Sequence, residues 1–139
     1  MIMGLFSTFD VAGSAMSAQT VRLNTVASNM ANADVVSGTE ESAYHARQPV
    51  FSAVMKAMGG DQVSVPVEIS GIVESDAPIN KQFHPEHPEA DSDGYIYTSN
   101  VNMIEEMANM ISASRSYQSN VEVANTAKQL LLETLRLGQ

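Results

Sequence analysis

Residues 102–137 read NMIEEMANMISASRSYQSNVEVANTAKQLLLETLRL, a run without glycine or proline until Gly138. Ile104, Met107, Ile111, Val121, Leu132 and Leu135 fall at helical spacing within it, flanked by Met103, Met110, Tyr117, Ala124 and Leu131. That stripe is wider than a two-position seam, as expected of a helix that touches more than one neighbour. Asn102 is placed to cap the first turn, with Glu105 three residues on and able to reach back to it. Glu105 and Glu106 sit at the N-terminal end and Lys128 and Arg136 towards the other, which suits the helix dipole. At about 1.5 Å per residue such a helix spans about 50 Å, longer than a small domain is wide.

A second helix is predicted near the start of the chain. Phe9, Ala12, Met16, Leu23, Val26, Met30 and Ala33 recur at alternating steps of three and four, with Gln19 as the polar member of the row. No proline interrupts them, and Gly13 costs about 1 kcal/mol in a helix interior. Ser7 and Asp10 resemble a capping box, so the helix is expected to start there. Between the two helices lie all five prolines and short β-type runs: 62–65, 67–69, 71–74 and 95–97. The apolar series Val63, Val65, Val67, Ile69 reads as a half-buried strand that Pro66 breaks or pushes to an edge. Residues 51–58 fit a strand or a helical turn equally well, and 84–94 read as an acidic, proline-rich loop. The predicted fold is therefore mainly α with a small β insert. Residues 1–34 and 100–139 form two long terminal helices, packed as a coiled-coil-like hairpin, around a β-rich middle segment at 35–99.

Composition narrows the function. A formal charge of −9 with only seven basic residues in 139 argues against nucleic acid, whose phosphates need clustered Lys and Arg. The same shortage disfavours an anionic membrane surface, and no apolar run approaches a membrane span. The N-terminal residues lack the basic and apolar regions of a secretory signal, so none is expected. The absence of cysteine excludes a disulfide or a thiolate site. Nine methionines suit packing that adapts to several surroundings.

No catalytic constellation emerges. His84, Glu86 and His87 lie close together, but beside Pro85 and Pro88 without fixed helical spacing, and a solvated loop explains them better than a metal site. Asp91-Ser92-Asp93-Gly94 resembles the start of a calcium loop, yet Asn102 stands where its last acidic ligand belongs, so a glycine turn into a strand is expected instead. Glu105 and Glu106 point about 100° apart on a helix and cannot flank one substrate atom. No serine has a histidine partner at a suggestive spacing. Neither a cofactor, a metal nor a small-molecule substrate is expected.

An isolated helix is marginal in water, and most of its stability comes from burying an apolar face. The middle segment has too few large apolar residues to cover both stripes, and pairing the termini hides only one side. The surplus is expected to be buried against other chains through Met16, Leu23, Val26, Met30, Ile104, Met107, Ile111, Tyr117, Val121, Leu132 and Leu135. Arg22, Glu105, Glu106 and Arg115 are the charges placed to pair across such contacts. A self-contained helical hairpin is the plainer alternative. A helix-binding regulator or chaperone-like module is a different functional class, and would form a discrete one-to-one complex.

The segment Ala12-Gly13-Ser14-Ala15-Met16-Ser17-Ala18-Gln19, with Arg22-Leu23-Asn24 and 26–33, resembles the N-terminal helix of bacterial flagellar rod and hook proteins. The segments 100–107, 110–122 and 125–128 are similar to the C-terminal helix of proximal-rod members of that family. His87-Pro88-Glu89-Ala90-Asp91 with Gly94-Tyr95, and Tyr44 to Phe51, are similar to its connecting stretches. The sequence departs from the family at Asp34-Val35-Val36 and at 38–41, and 59–83 carries no match. The resemblance implies a non-enzymatic subunit of the basal-body rod, the tubular drive shaft that crosses the periplasm and encloses an export channel. It also implies export by the flagellar type III apparatus without a cleavable signal. The partners implied are further copies, other proximal and distal rod proteins, the export-gate adaptor and the membrane-embedded MS ring.

Overall fold

The computed structural model describes residues 2–58 and 62–138, and side chains over 4–55 and 64–138. The elements run α1 (Ile2–Ala31), β1 (Val36–Ser37), β2 (Arg47–Ala53), β3 (Lys56–Met58), β4 (Gln62–Ser64), β5 (Val67–Glu74), β6 (Asn80–Phe83), β7 (Tyr95–Thr98) and α2 (Met103–Leu137). The expected architecture holds: two long helices carry a small antiparallel insert between them. No described helix is long and apolar enough to cross a membrane.

The start of α2 follows from Asn102. Its side-chain oxygen accepts from the amides of Ile104 and Glu105 at 3.1 and 3.4 Å, satisfying two of the donors that a first helical turn leaves free. The reciprocal bond from Glu105 back to Asn102 is absent among the described residues, so the box is half made. The start of α1 differs from expectation. Ser7 and Asp10 do not cap it, because the helix already runs from Ile2 and the Ser7 hydroxyl donates back to the Gly4 carbonyl at 2.9 Å. A serine inside a helix satisfies itself in this way, which mimics a cap in the sequence.

The two helices lie antiparallel. Arg22 and Asn29 of α1 meet Asn109 and Glu106 near the start of α2. At the other end, Leu5 and Thr8 border a groove with Val123, Ala127 and Leu130. The seam between them is made of small residues: Ala12 and Ala18 from α1, Ala113 and Ala127 from α2, all buried. Small side chains let helix backbones approach closely. Val26 joins them at 4% exposure, with Thr25 and Asn29. This shifts the inner face of α1 away from the row read in the sequence. Met16, Leu23 and Met30 flank the seam half-buried, and Ala12 and Val26 are the members of that row that line it.

Among the described residues the insert forms three small antiparallel sheets. β1, β7 and β6 make one, in the order β1-β7-β6. β2 pairs with β5 along its whole length, with a bulge at which Val50 opposes Gly71 and Phe51 opposes Ile69. β3 and β4 form a hairpin. The undecided stretch 51–58 is therefore extended, contributing the end of β2 and all of β3. Pro66 separates β4 from β5, as a residue without an amide proton must. The alternation read through Val63 and Val65 does not hold up to that break: Ser64 and Pro66 point inward and Val65 is exposed, whereas Val63 lies outside the described side chains. From Val67 the pattern resumes, with Val67 and Ile69 half-buried between exposed Glu68 and Ser70. The β2–β5 ribbon is tied to α1 from both strands: the Val67 amide of β5 donates to the Ser14 hydroxyl at 3.1 Å, and Arg47 of β2 is held by Asn29.

The expected glycine turn leads into β7. Gly94 has φ +81°, and an added Cβ there meets Phe83 Cε2 and Pro85 Cβ at 3.0 Å. Asp91 folds the same turn, its Oδ1 accepting from the amides of Asp93 and Tyr95 at 3.0 and 2.8 Å, and its Oδ2 from the Tyr97 hydroxyl at 3.1 Å.

Candidate subunit interface

Two features of the helix pair bear on function: how it is held at one end, and what it presents outward. The holding begins with Asn29, 1% exposed, whose amide uses all four of its hydrogen-bonding positions. Nδ2 donates to the Arg47 carbonyl at 2.8 Å and to Glu106 Oε2 at 3.1 Å. Oδ1 accepts from the Arg47 amide at 2.9 Å and from the Tyr44 hydroxyl at 3.0 Å. The side chain thus pairs with Arg47 as a neighbouring strand would, and carries the end of β2 onto α1. Because Arg47 offers both an N–H and a C=O, the orientation of the amide is fixed by its partners.

The residues that lead into α2 complete the tie. Ser99, also 1% exposed, donates its hydroxyl proton to the Ala33 carbonyl just past the end of α1, at 2.6 Å. Asn100 accepts from the Ala46 amide at 2.6 Å and donates to the carbonyls of Ser75 and Ala77 at 3.2 and 2.7 Å. Both helices and the insert are joined here by side-chain hydrogen bonds.

The outward face is apolar. Ile104, Met107 and Ile111 are 81%, 51% and 55% exposed, and Leu132 and Leu135 are 51% and 56%. Ile104 stands nine positions from Ala113, hence about 180° around the helix from the seam. Tyr117 is exposed at the boundary of the two faces and Val121 half-buried. The alanines of α2 thus line the seam, while Ile104, Met107, Ile111, Leu132 and Leu135 stand clear of it. Magnitudes set the two faces of α2 apart. A methyl-sized group contributes about 0.8 kcal/mol when buried, whereas a fully buried Ile, Leu or Met side chain contributes about 1.5–3 kcal/mol.

Of the four charges, Arg22, Glu105 and Glu106 line one hollow together with Arg47 and Asn109, and Arg115 stands apart. Arg115 is exposed and forms no ion pair among the described residues, and Glu105 is likewise exposed. Arg22 is partly buried, its Nη2 donating to Asn109 Oδ1 at 3.1 Å. Glu106 is 6% exposed and bonded to Asn29, so its contacts lie within the chain. Its place among the outward charges is corrected accordingly: an acidic pair at a helix start fits the dipole on either face, and only the fold shows which member turns inward. Asn29, Ser99 and Asn100 were not singled out as site residues, because an asparagine or serine near a helix end reads equally as a solvated cap. Their signal is the cluster of small polar residues at both junctions of helix and insert.

Comparison with known proteins identifies the family. Residues 9–38 match the family described as "Flagella basal body rod protein", and residues 92–137 match "Flagellar basal body rod FlgEFG protein C-terminal". The chain is 50% identical to the flagellar basal-body rod protein FlgC of Yersinia enterocolitica over 137 residues, covering 99% of this chain and 100% of that protein. It is 48% identical to FlgC of Escherichia coli O157:H7 and 47% identical to FlgC of Salmonella typhimurium, each over 140 residues with the same coverage. With its length matched throughout by these relatives, the chain belongs to the FlgC family of flagellar basal-body rod proteins, structural subunits of the rod and not enzymes.

Proposed function

We propose that the outward face of α2 and the flank of α1 pack against further copies and against other proximal and distal rod proteins, closing a tube that transmits torque and encloses the export channel. In this reading Ile104, Met107, Ile111, Tyr117, Leu132 and Leu135 are the contact residues, with Met16, Leu23 and Met30 beside them. Arg22, Glu105 and Arg115 form cross-subunit pairs. The rod spans the periplasm, the export-gate adaptor and the MS ring are its membrane-side neighbours, and the chain travels through the flagellar type III apparatus without a cleavable signal. The observation that carries the reading is the inversion of side-chain size across α2, alanines within and large aliphatics without. A self-sufficient hairpin gains nothing from that arrangement, and a subunit does, because burial on assembly then exceeds burial within.

The test uses a strain lacking the chain, complemented with the Ile104→Asp/Ile111→Asp variant. Swimming is expected to fall to the level of the deletion and the variant to be missing from isolated basal bodies, with helicity and unfolding midpoint of the purified protein unchanged. Full swimming would reject this surface as the contact. Recovery of the chain only as a discrete one-to-one complex would favour the helix-binding module instead.

A further inference from the structure

A ridge and a groove on the same chain carry the same repeat. The ridge is Ile104 and Ile111, seven positions apart on the outward face of α2. The groove runs between the helices at the other end, walled by Leu5 and Thr8 on one side and by Val123 and Leu130 on the other, with buried Ala127 beside them. Val123 and Leu130 are also seven positions apart, 43% and 49% exposed. Ridge and groove lie on separate stretches of one continuous helix, so no chain can seat its own ridge in its own groove.

We infer that the Ile104–Ile111 ridge of one copy seats against the Val123–Leu130 wall of the next, with α2 parallel to α2 and staggered by nineteen positions. This rests on the reading of the chain as a subunit of a polar tube, which requires neighbouring copies to point the same way. Nineteen positions correspond to about 28 Å along the axis. Charge supports the same register. The stagger brings Arg115, which has no ion-pair partner among the described residues, opposite Thr134 and within one position of exposed Glu133. It also brings exposed Met107 opposite exposed Thr126, which lines the groove. A contact between two different patches that also carries an axial shift cannot close into a flat ring, so it propagates along the axis, as a tube needs.

The chain has no cysteine, which makes the register readable by disulfide trapping. The Met107→Cys/Thr126→Cys variant, expressed as the sole copy and oxidised mildly in isolated basal bodies, is expected to yield linked multimers larger than a dimer. Each single variant, and the displaced pair Met107→Cys/Ser119→Cys, is expected to yield none. A product confined to dimers indicates a two-fold antiparallel contact and overturns the proposal, as does equal linking by the displaced pair. In parallel, Arg115→Glu is expected to reduce swimming at least tenfold and Arg115→Glu/Glu133→Arg to restore it, while failure of the reversal to restore it counts against the register. If the cysteine variant enters basal bodies and the cells swim without linked product, the stagger is wrong and the rod reading stands. If the unaltered chain is absent from basal bodies, the rod reading itself falls.

Discussion

The two ends of the helical hairpin are built on opposite principles. Where α1 ends and α2 begins, Asn29, Ser99 and Asn100 bind helix, ribbon and linker through side-chain hydrogen bonds with partners in distant parts of the chain. Beyond Asn109, the side-chain hydrogen bonds of α2 found among the described residues are local ones, such as Thr126 to the Glu122 carbonyl and Thr134 to that of Leu130. Towards that far end Asp10 Oδ2 and Gln19 Oε1 are buried without a described partner, whereas every polar position of the Asn29 amide is used. Hydrogen bonds to distant partners fix geometry by direction, whereas an alanine seam holds by close packing alone. The chain is thus tied by directional bonds at one end and chiefly by packing at the other.

Asn29→Ala gives the largest way to break that contrast. It strands the Arg47 amide and carbonyl and leaves the buried Glu106 carboxylate unaccompanied, a loss of about 3–5 kcal/mol by analogy with broken buried charge partners. Urea unfolding is expected to show it, and hydrogen exchange to level between the two ends. Overpacking the seam is next: Ala113→Leu places a large side chain where none fits and is expected to cost about 1–3 kcal/mol, reported as a lower denaturation midpoint. Gly94→Ala sharpens the comparison by disturbing a turn remote from both helix ends. Its positive φ and two contacts at 3.0 Å predict about 1–2 kcal/mol of destabilisation. Amide exchange at that turn should rise while the Asn29 cluster keeps its protection.

The smallest effect concerns Asp91, held below its ordinary value of 3.8 chiefly by the Tyr95 amide and further by the Tyr97 hydroxyl. A depressed carboxylate stabilises the fold above its unfolded value and loses that contribution as pH falls through its folded one. The turn should therefore loosen only below about pH 3.8, and Asp91→Asn should abolish that step in the Tyr95 amide chemical shift followed by NMR.

Much of the architecture was legible because its signals are local. The unbroken run from Met103 to Leu137, the Asn102 cap and the Gly94 turn each depend on residues within a few positions of one another. The facing of the helices was not legible. Periodicity weights large side chains, and here the contact between α1 and α2 uses Ala12, Ala18, Ala113 and Ala127 instead. β6 was missed because Asn80-Lys81-Gln82-Phe83 is exposed throughout and carries a single apolar residue, so it has no inward face to alternate. The small polar residues at the two junctions hint at the Asn29 cluster, but its partners do not show in the sequence, since Tyr44, Arg47 and Glu106 are brought to it from separate segments.

The linker from the end of β7 at Thr98 to the start of α2 at Met103 is only Ser99 to Asn102, and Ser99, Asn100 and Asn102 are each pinned by their side chains. So short and braced a joint has no slack to absorb rotation. A turning moment applied along the long helix is therefore passed to the insert, which makes the subunit behave as a rigid crank rather than a flexible tether.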